Sequence, residues 1–182
     1  PELAELDINP LYADADGVLA LDARIRLSAS LPGGAAHFAI TPYPQALEES
    51  VSWHGETLLL RPIRPEDGAQ HRAFVDQLTE HDLRLRFFSA RRELPRSEMA
   101  RLTQIDYARE MAFIAVRHRP DGTAQTLGVA RAVCDPDNIE AEFAVIVRSD
   151  LKGQGLGHLL MDKLIRYLRA HGTQRMRGYV LS

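Results

Sequence analysis

Cysteine is nearly missing: Cys134 is the single example in 182 residues. An internal disulfide and a cysteine-based zinc site are therefore excluded, and a reducing, cytoplasmic setting is expected. Long apolar runs are missing too. Nothing approaches the roughly 18 consecutive apolar residues of a membrane-spanning helix, and no signal-peptide pattern opens the chain, so no membrane partner is expected. His71, His81, His118, His158 and His171 are scattered without ligand spacing, so no metal is expected. Basic residues are neither dense nor clustered enough to argue for nucleic acid. The chain begins at Pro1 rather than at a methionine, as a fragment or processed product does.

What is present is ordinary globular composition, 45% hydrophobic and 26% charged, with length for one compact domain plus an extra segment. The net charge of −3 hides an asymmetry. Residues 1–56 carry nine acids and two arginines, whereas residues 57–182 carry sixteen acids and twenty basic residues. The mildly basic second part suits a phosphate-bearing ligand.

The chain divides accordingly. Residues 3–11 are strand-like, residues 14–17 form an acidic turn, and residues 18–27 alternate apolar and polar as a half-buried strand does. A hairpin of this size has no stable core of its own. Pro32, Gly33, Gly34, Pro42 and Pro44 then read as linker chemistry, giving a linker over 29–54 and a domain over 55–182. Within that domain residues 57–63 read as a strand. Pro65-Glu66-Asp67 has the form of a helix first turn, and the helix runs to about Leu78 with Ala69, Phe74, Val75 and Leu78 on its apolar side. Short helices are predicted at 81–88 and 97–105, and strands at 111–117, 126–134 and 141–147. Leu159, Leu160, Leu164, Ile165 and Leu168 have the spacing of an amphipathic helix over 157–170, Gly172 fits its C′ position, and a last strand follows at 175–181. The fold class is α/β in the α+β sense: helices packed on a mainly antiparallel sheet.

One segment carries chemistry. Residues 140–157 read as strand, glycine loop and helix. A helix start offers unpaired N–H groups and the positive end of the macrodipole, and Gly153, Gly155 and Gly157 let the backbone approach phosphate oxygens. Lys152 adds a cation. Three glycines there also make a sharp connection with no ligand. The Gly-x-Gly-x-Gly spacing fits neither the dinucleotide fingerprint nor the nucleoside-triphosphate loop.

Lys152-Gly153-Gln154-Gly155-Leu156-Gly157 resembles the Arg/Gln-x-x-Gly-x-Gly/Ala signature of the GNAT acetyltransferases, with lysine in place of the usual Arg or Gln. The resemblance covers about residues 57–182 and includes the opening Arg61-Pro62-Ile63-Arg64-Pro65-Glu66-Asp67. It implies acetyl-CoA as cosubstrate, a mainly antiparallel twisted sheet, phosphates on residues 152–157, and backbone bonds from Val145, Ile146 and Val147 to the pantetheine arm. It also implies a further helix and two strands beyond Ser182. Residues 5–24 resemble the end of the ATP-grasp part of ADP-forming acyl-CoA synthetases, with Asn9 and Asp22 at matching Mg²⁺-binding positions; nucleotide binding by this short piece is not expected. Together the two resemble the bacterial protein lysine acetyltransferases, as do residues 82–89 and 102–107. Implied partners are then a protein with an acceptor lysine, such as an acyl-CoA synthetase.

Acetyl transfer needs a neutral amine, and a lysine of pKa ~10.4 arrives protonated. A carboxylate at the cofactor strand can take that proton. As charges alone, Glu140 and Glu142 fit solvated strand-edge acids; the resemblance favours Glu142 as base, with Glu140 in reserve. Cys134 as acyl carrier, Tyr107 as acceptor contact, and the Arg84, Arg86, Arg91 and Arg92 run as a docking face each stand beside a plain packing or solvated role. A small-amine acetyltransferase and a non-catalytic acetyl-CoA sensor are the competing functions.

Overall fold

The computed structural model describes residues 2–29, 40–87 and 94–180. The chain forms two units, Pro1–Thr41 and Pro42–Ser182. In the first, strand β1 (Glu2–Ile8) pairs antiparallel with β4 (Ala23–Ser28), and β2 (Leu11–Ala13) pairs with β3 (Val18–Ala20). Leu6 lies opposite Ile25, Ile8 opposite Ala23 and Leu3 opposite Leu27, while Glu5 faces Arg26 in a 2.8 Å ion pair. Asp14 closes the acidic turn, its carboxylate accepting from the N–H groups of Asp16 and Gly17.

The second unit holds a six-stranded sheet in the order β10-β9-β8-β7-β6-β5. Its strands are β5 (Glu49–Trp53), β6 (Glu56–Pro62), β7 (Glu110–His118), β8 (Ala124–Cys134), β9 (Glu140–Val147) and β10 (Arg175–Arg177). All pairs are antiparallel except β9 with β10. The helices are α1 (Gly68–Val75), α2 (Glu80–Phe87), α3 (Arg96–Thr103) and α4 (Leu156–Ala170). The period-2 alternation of the strands sends two sets of side chains to two cores. Leu58, Leu60, Phe113, Ala115, Ala130 and Ala132 pack beneath Leu156, Leu160, Leu164 and Leu168 of α4. Ile63, Ala112, Ile114 and Val129 pack beneath Phe74 and Val75 of α1, Leu83 of α2 and Met99 of α3.

Two expectations change. The composition places a linker over 29–54, yet β5 is an edge strand of the main sheet and residues from Pro42 on belong to that unit. Side chains, not backbone propensity, fix this stretch. Glu49 binds Lys163 and Arg166 of α4, both at 2.9 Å. Glu48 pairs with Arg64, whose guanidinium also lies 4.3 Å from the Tyr43 ring centre. The linker residues 30–39 lie outside the described residues. The first helix also stops at Val75 rather than near Leu78, because the chain tightens into i→i+3 bonds, Gln77 N–H to Phe74 O and Leu78 N–H to Val75 O; Leu78 is buried all the same.

The helix starts and stops follow local chemistry. Asp67 accepts the Arg64 N–H at 2.7 Å and a bidentate pair from Arg61 at 2.8 and 2.6 Å, both side chains buried. The Arg61–Asp67 opening is thus a fold-locking pair, strong because its hydrogen bonds are charge-assisted. Gly172, at φ 83°, ends α4 in a Schellman motif: Thr173 N–H bonds to Leu168 O and Gly172 N–H to Arg169 O.

His71 on α1 is buried, its Nδ1 without a partner. Burial, aided by the positive charge of Arg131, pushes its pKa down to about 4. The unfolded chain takes up this proton below about pH 6.5, the folded chain only near 4, so stability is lost as pH falls through that window. Between pH 7 and 5 the loss amounts to about 2 kcal/mol. Denaturant melts of wild type and His71→Leu at the two pH values test this: the variant is expected to lack that increment. Equal pH slopes would refute it.

Candidate functional site

β9 and β10 run side by side for only three pairs, Glu140 with Arg175, Ala141 with Met176, and Glu142 with Arg177. Beyond the third pair they part. The β10 side of residues 143–147 has no strand partner among the described residues. Gly178 lies at the fork, where a Cβ would meet the Phe143 ring at 2.9 Å. The sequence predicts a strand over 175–181, but it ends at Arg177; residues 181–182 lie outside the described ones.

The parting opens a cleft of about 530 Å³. Its walls are Asp82, Leu85 and Arg86 of α2, residues 142–147 of β9, Lys152, Gly157, and residues 178–180. Leu85, Val145, Tyr179 and Val180 are exposed apolar side chains along it. An apolar lining next to an unpaired strand edge suits an extended chain with amide groups, which takes backbone bonds from the edge and burial from the walls.

The glycine loop leads from this strand into α4. Gly153 (φ 73°) and Gly155 (φ 82°), the latter the N-cap of α4, both occupy the left-handed region. A Cβ at either would meet nothing within 4 Å, so backbone conformation rather than crowding demands glycine there. Among the described residues no side-chain cap closes the N-terminus of α4. Val145, Ile146, Val147, Lys152, Gly157 and Glu142 come together on the one cleft. Gly153, Gln154 and Gly155 form the exposed approach to it, and the Leu156 side chain is buried in the α4 core.

Glu142 is exposed at the fork, and its charge acts on Arg86. Burial, then the neighbouring Arg131, draws the Arg86 pKa down, with Glu142 and Glu110 opposing. Glu140 is held differently: it accepts from Arg177 at 3.1 Å, lies 3.8 Å from Arg175, and does not line the cleft. Lys152 is likewise engaged, in an ion pair with buried Asp82. Tyr107 donates to Ile63 O at 2.6 Å and packs edge-on against Tyr43, a packing role. Cys134 is half-buried beside the core, and burial raises its thiol pKa, which works against a thiolate acyl carrier. Arg84 is exposed, Arg86 lines the cleft, and Arg91 and Arg92 fall outside the described residues.

Four residues escaped the reading of the sequence. Asp82 and Ser149 join α2 to the loop, and Trp53 of β5 donates its indole N–H to Gln154 O at 2.9 Å, with His54 Nε2 3.1 Å from the same oxygen. An aromatic ending a short alternating run was the available signal for Trp53. Trp53→Phe keeps the packing and removes the bond. It is expected to loosen the loop and to weaken binding of acetyl-CoA, the cosubstrate the sequence resemblance implies, about threefold to tenfold, the worth of one net hydrogen bond; unchanged affinity in calorimetry would dismiss the indole as a loop anchor.

The profile of the acetyltransferase (GNAT) family matches residues 76–180, and that of the ATP-grasp domain matches residues 1–27. An acetyltransferase of Pseudomonas aeruginosa is 33% identical over 122 residues, which are 67% of this chain and 65% of its own length. The chain thus spans somewhat under two thirds of that relative. The GNAT domain of S. lividans PAT superposes with a TM-score of 0.67 at 24% identity, over 76% of this chain and 81% of its own. A cAMP-binding acyltransferase from Mycobacterium smegmatis gives 0.50 at 28% identity, over 75% and 40%. No helix among the described residues is long and apolar enough to cross a membrane. With a family profile over more than half of its length, a matching fold, and the open edge of β9 with the glycine loop behind it, the chain belongs to the GNAT acetyltransferase family.

Proposed function

We propose that this chain moves an acetyl group from acetyl-CoA to the side-chain amine of a protein lysine, in the cytoplasm, with Glu142 as general base. The observation that carries the reading is the fork between β9 and β10. It leaves one strand edge open, with Glu142 at the point of divergence and the N-terminus of α4 behind it.

The residues fit the cosubstrate. The uncapped N-terminus of α4 and the glycine backbone suit an anion, and the unpaired edge over residues 143–147 suits the amides of the arm. Acetyl-CoA supplies an activated acetyl thioester. Glu142 removes the ammonium proton of the incoming lysine; the freed lone pair forms the N–C bond as the C–S bond breaks, and the second proton shed by the new amide nitrogen ends on the departing thiolate. Backbone N–H groups near Ile146 and Val147, on the open edge of β9, would stabilise charge on the acetyl oxygen. The resemblance of residues 5–24, 82–89 and 102–107 to the bacterial protein lysine acetyltransferases, with the ATP-grasp match over 1–27, supports a protein acceptor, such as an acyl-CoA synthetase.

Calorimetry with acetyl-CoA, followed by an acetylation assay on acyl-CoA synthetases and on small amines, tests the proposal. Binding and lysine modification are expected. Acetylation of small amines alone would overturn the protein acceptor, and no binding would overturn the whole reading.

A further inference from the structure

Lysine is scarce in this chain: Lys152 and Lys163 are the only two. Lys163 is buried and paired with Glu49. Lys152, half-exposed at 51%, is therefore the lysine that faces the cleft. It sits there because of a carboxylate seventy positions earlier. Asp82, on the first turn of α2 and 5% exposed, receives the Lys152 ammonium on one oxygen and the Ser149 hydroxyl, at 2.6 Å, on the other. Ser149 Oγ in turn accepts the Thr79 N–H at 3.0 Å, and Thr79 Oγ1 accepts the Asp82 N–H at 3.2 Å. Two loop residues and the start of α2 are thereby tied into one knot at the cleft wall.

We propose that Asp82 is a positioning residue for the cosubstrate: it holds the Lys152 ammonium at the cleft so that its remaining donors meet a phosphate of acetyl-CoA. This deepens the site reading above and rests on it. A lysine stem is flexible, and fixing it normally costs up to about 2 kcal/mol of rotamer freedom. Here the folded protein has already fixed it. An ammonium has three donors, and Asp82 takes one. The carboxylate itself is well suited to the task. Burial would raise its pKa, but hydrogen bonds from Lys152, Ser149 and Thr79 outweigh this and hold it below the ordinary value, so it stays charged at neutral pH. With both oxygens engaged, by Lys152 and Ser149, Asp82 acts on the ligand through Lys152.

The test is a double-mutant cycle read by calorimetry on the full chain, with acetyl-CoA and with acetyl-pantetheine, which lacks the phosphates. Asp82→Asn keeps an acceptor for Ser149, and Lys152→Met keeps the stem, so both variants are built to fold. Each is expected to weaken acetyl-CoA binding about fivefold. The double variant should be no worse than Lys152→Met alone, and acetyl-pantetheine affinity should not change. Ser149→Ala, which only loosens the carboxylate, should weaken acetyl-CoA binding about twofold, and not at all once Lys152 is gone. Unchanged or tighter acetyl-CoA binding by Asp82→Asn, additive losses, or an equal loss toward acetyl-pantetheine would each overturn the inference. If the wild type binds no acetyl-CoA, the site reading itself fails and takes the inference with it; if it binds and only the Asp82 variants match it, the inference alone fails.

Discussion

Gly155→Asp is expected to weaken acetyl-CoA binding by about a hundredfold or more. Two effects combine. The residue stands at φ 82°, where a side chain other than glycine costs roughly 1 kcal/mol or more. The new carboxylate also lies at the N-terminus of α4, in the space a phosphate would occupy, and like charges about 4 Å apart near a surface repel by up to about 4 kcal/mol. A loss near 3 kcal/mol is about a hundredfold in affinity. Aspartate is one of the few residues besides glycine that visit the left-handed region, and no neighbour crowds a Cβ there, so the variant should fold. Gly155→Ala separates the effects: it carries the strain alone, and its loss should stay within about tenfold. Calorimetry beside a thermal melt reads both. Wild-type affinity in a folded Gly155→Asp protein would place the phosphates elsewhere.

Glu142→Gln is expected to leave acetyl-CoA binding intact and to lower kcat at neutral pH by about a hundredfold to ten-thousandfold, the usual range for losing a general base. The deficit should shrink as pH rises toward the lysine pKa of ~10.4, because more acceptor then arrives already neutral. That convergence marks a lost base rather than a disturbed site. An undiminished rate would move the role to water or another group. Glu140 is a poor heir, since Arg175 and Arg177 hold its carboxylate outside the cleft.

The parts legible in the sequence are those written in local patterns. The α4 stripe, the turn at Pro65, the Gly172 stop and the strand–glycine–helix passage from Glu140 to Gly157 all depend on neighbours within a few residues, and the fold has them close to where they were expected. What escaped depends on distant partners. Strand β5 buries only Trp53 fully, and prolines precede it, so its short alternating run is a faint mark beside linker composition; its place comes from Glu49 meeting α4 more than a hundred residues later. Asp82 looks like any acid in a helix first turn, and only the fold brings Lys152 and Ser149 to it. Lys152 itself was legible as a cation beside the loop, while its carboxylate partner was not. The point at which β9 and β10 part is equally unmarked, since residues 175–181 carry no local sign of where pairing stops.

Trp53 has a practical consequence. It is the sole tryptophan of the chain, 7% exposed, with its indole N–H on the carbonyl of Gln154. Excited at the red edge of protein absorbance, the molecule therefore has one indole emitter, and that emitter is bonded to the loop at the start of α4. Any event that shifts this carbonyl changes the local field on the indole and with it the colour and yield of the emitted light. The occupancy of the loop can thus be followed on the stopped-flow timescale, without label or substitution, and each variant of the loop can be titrated in its own native light.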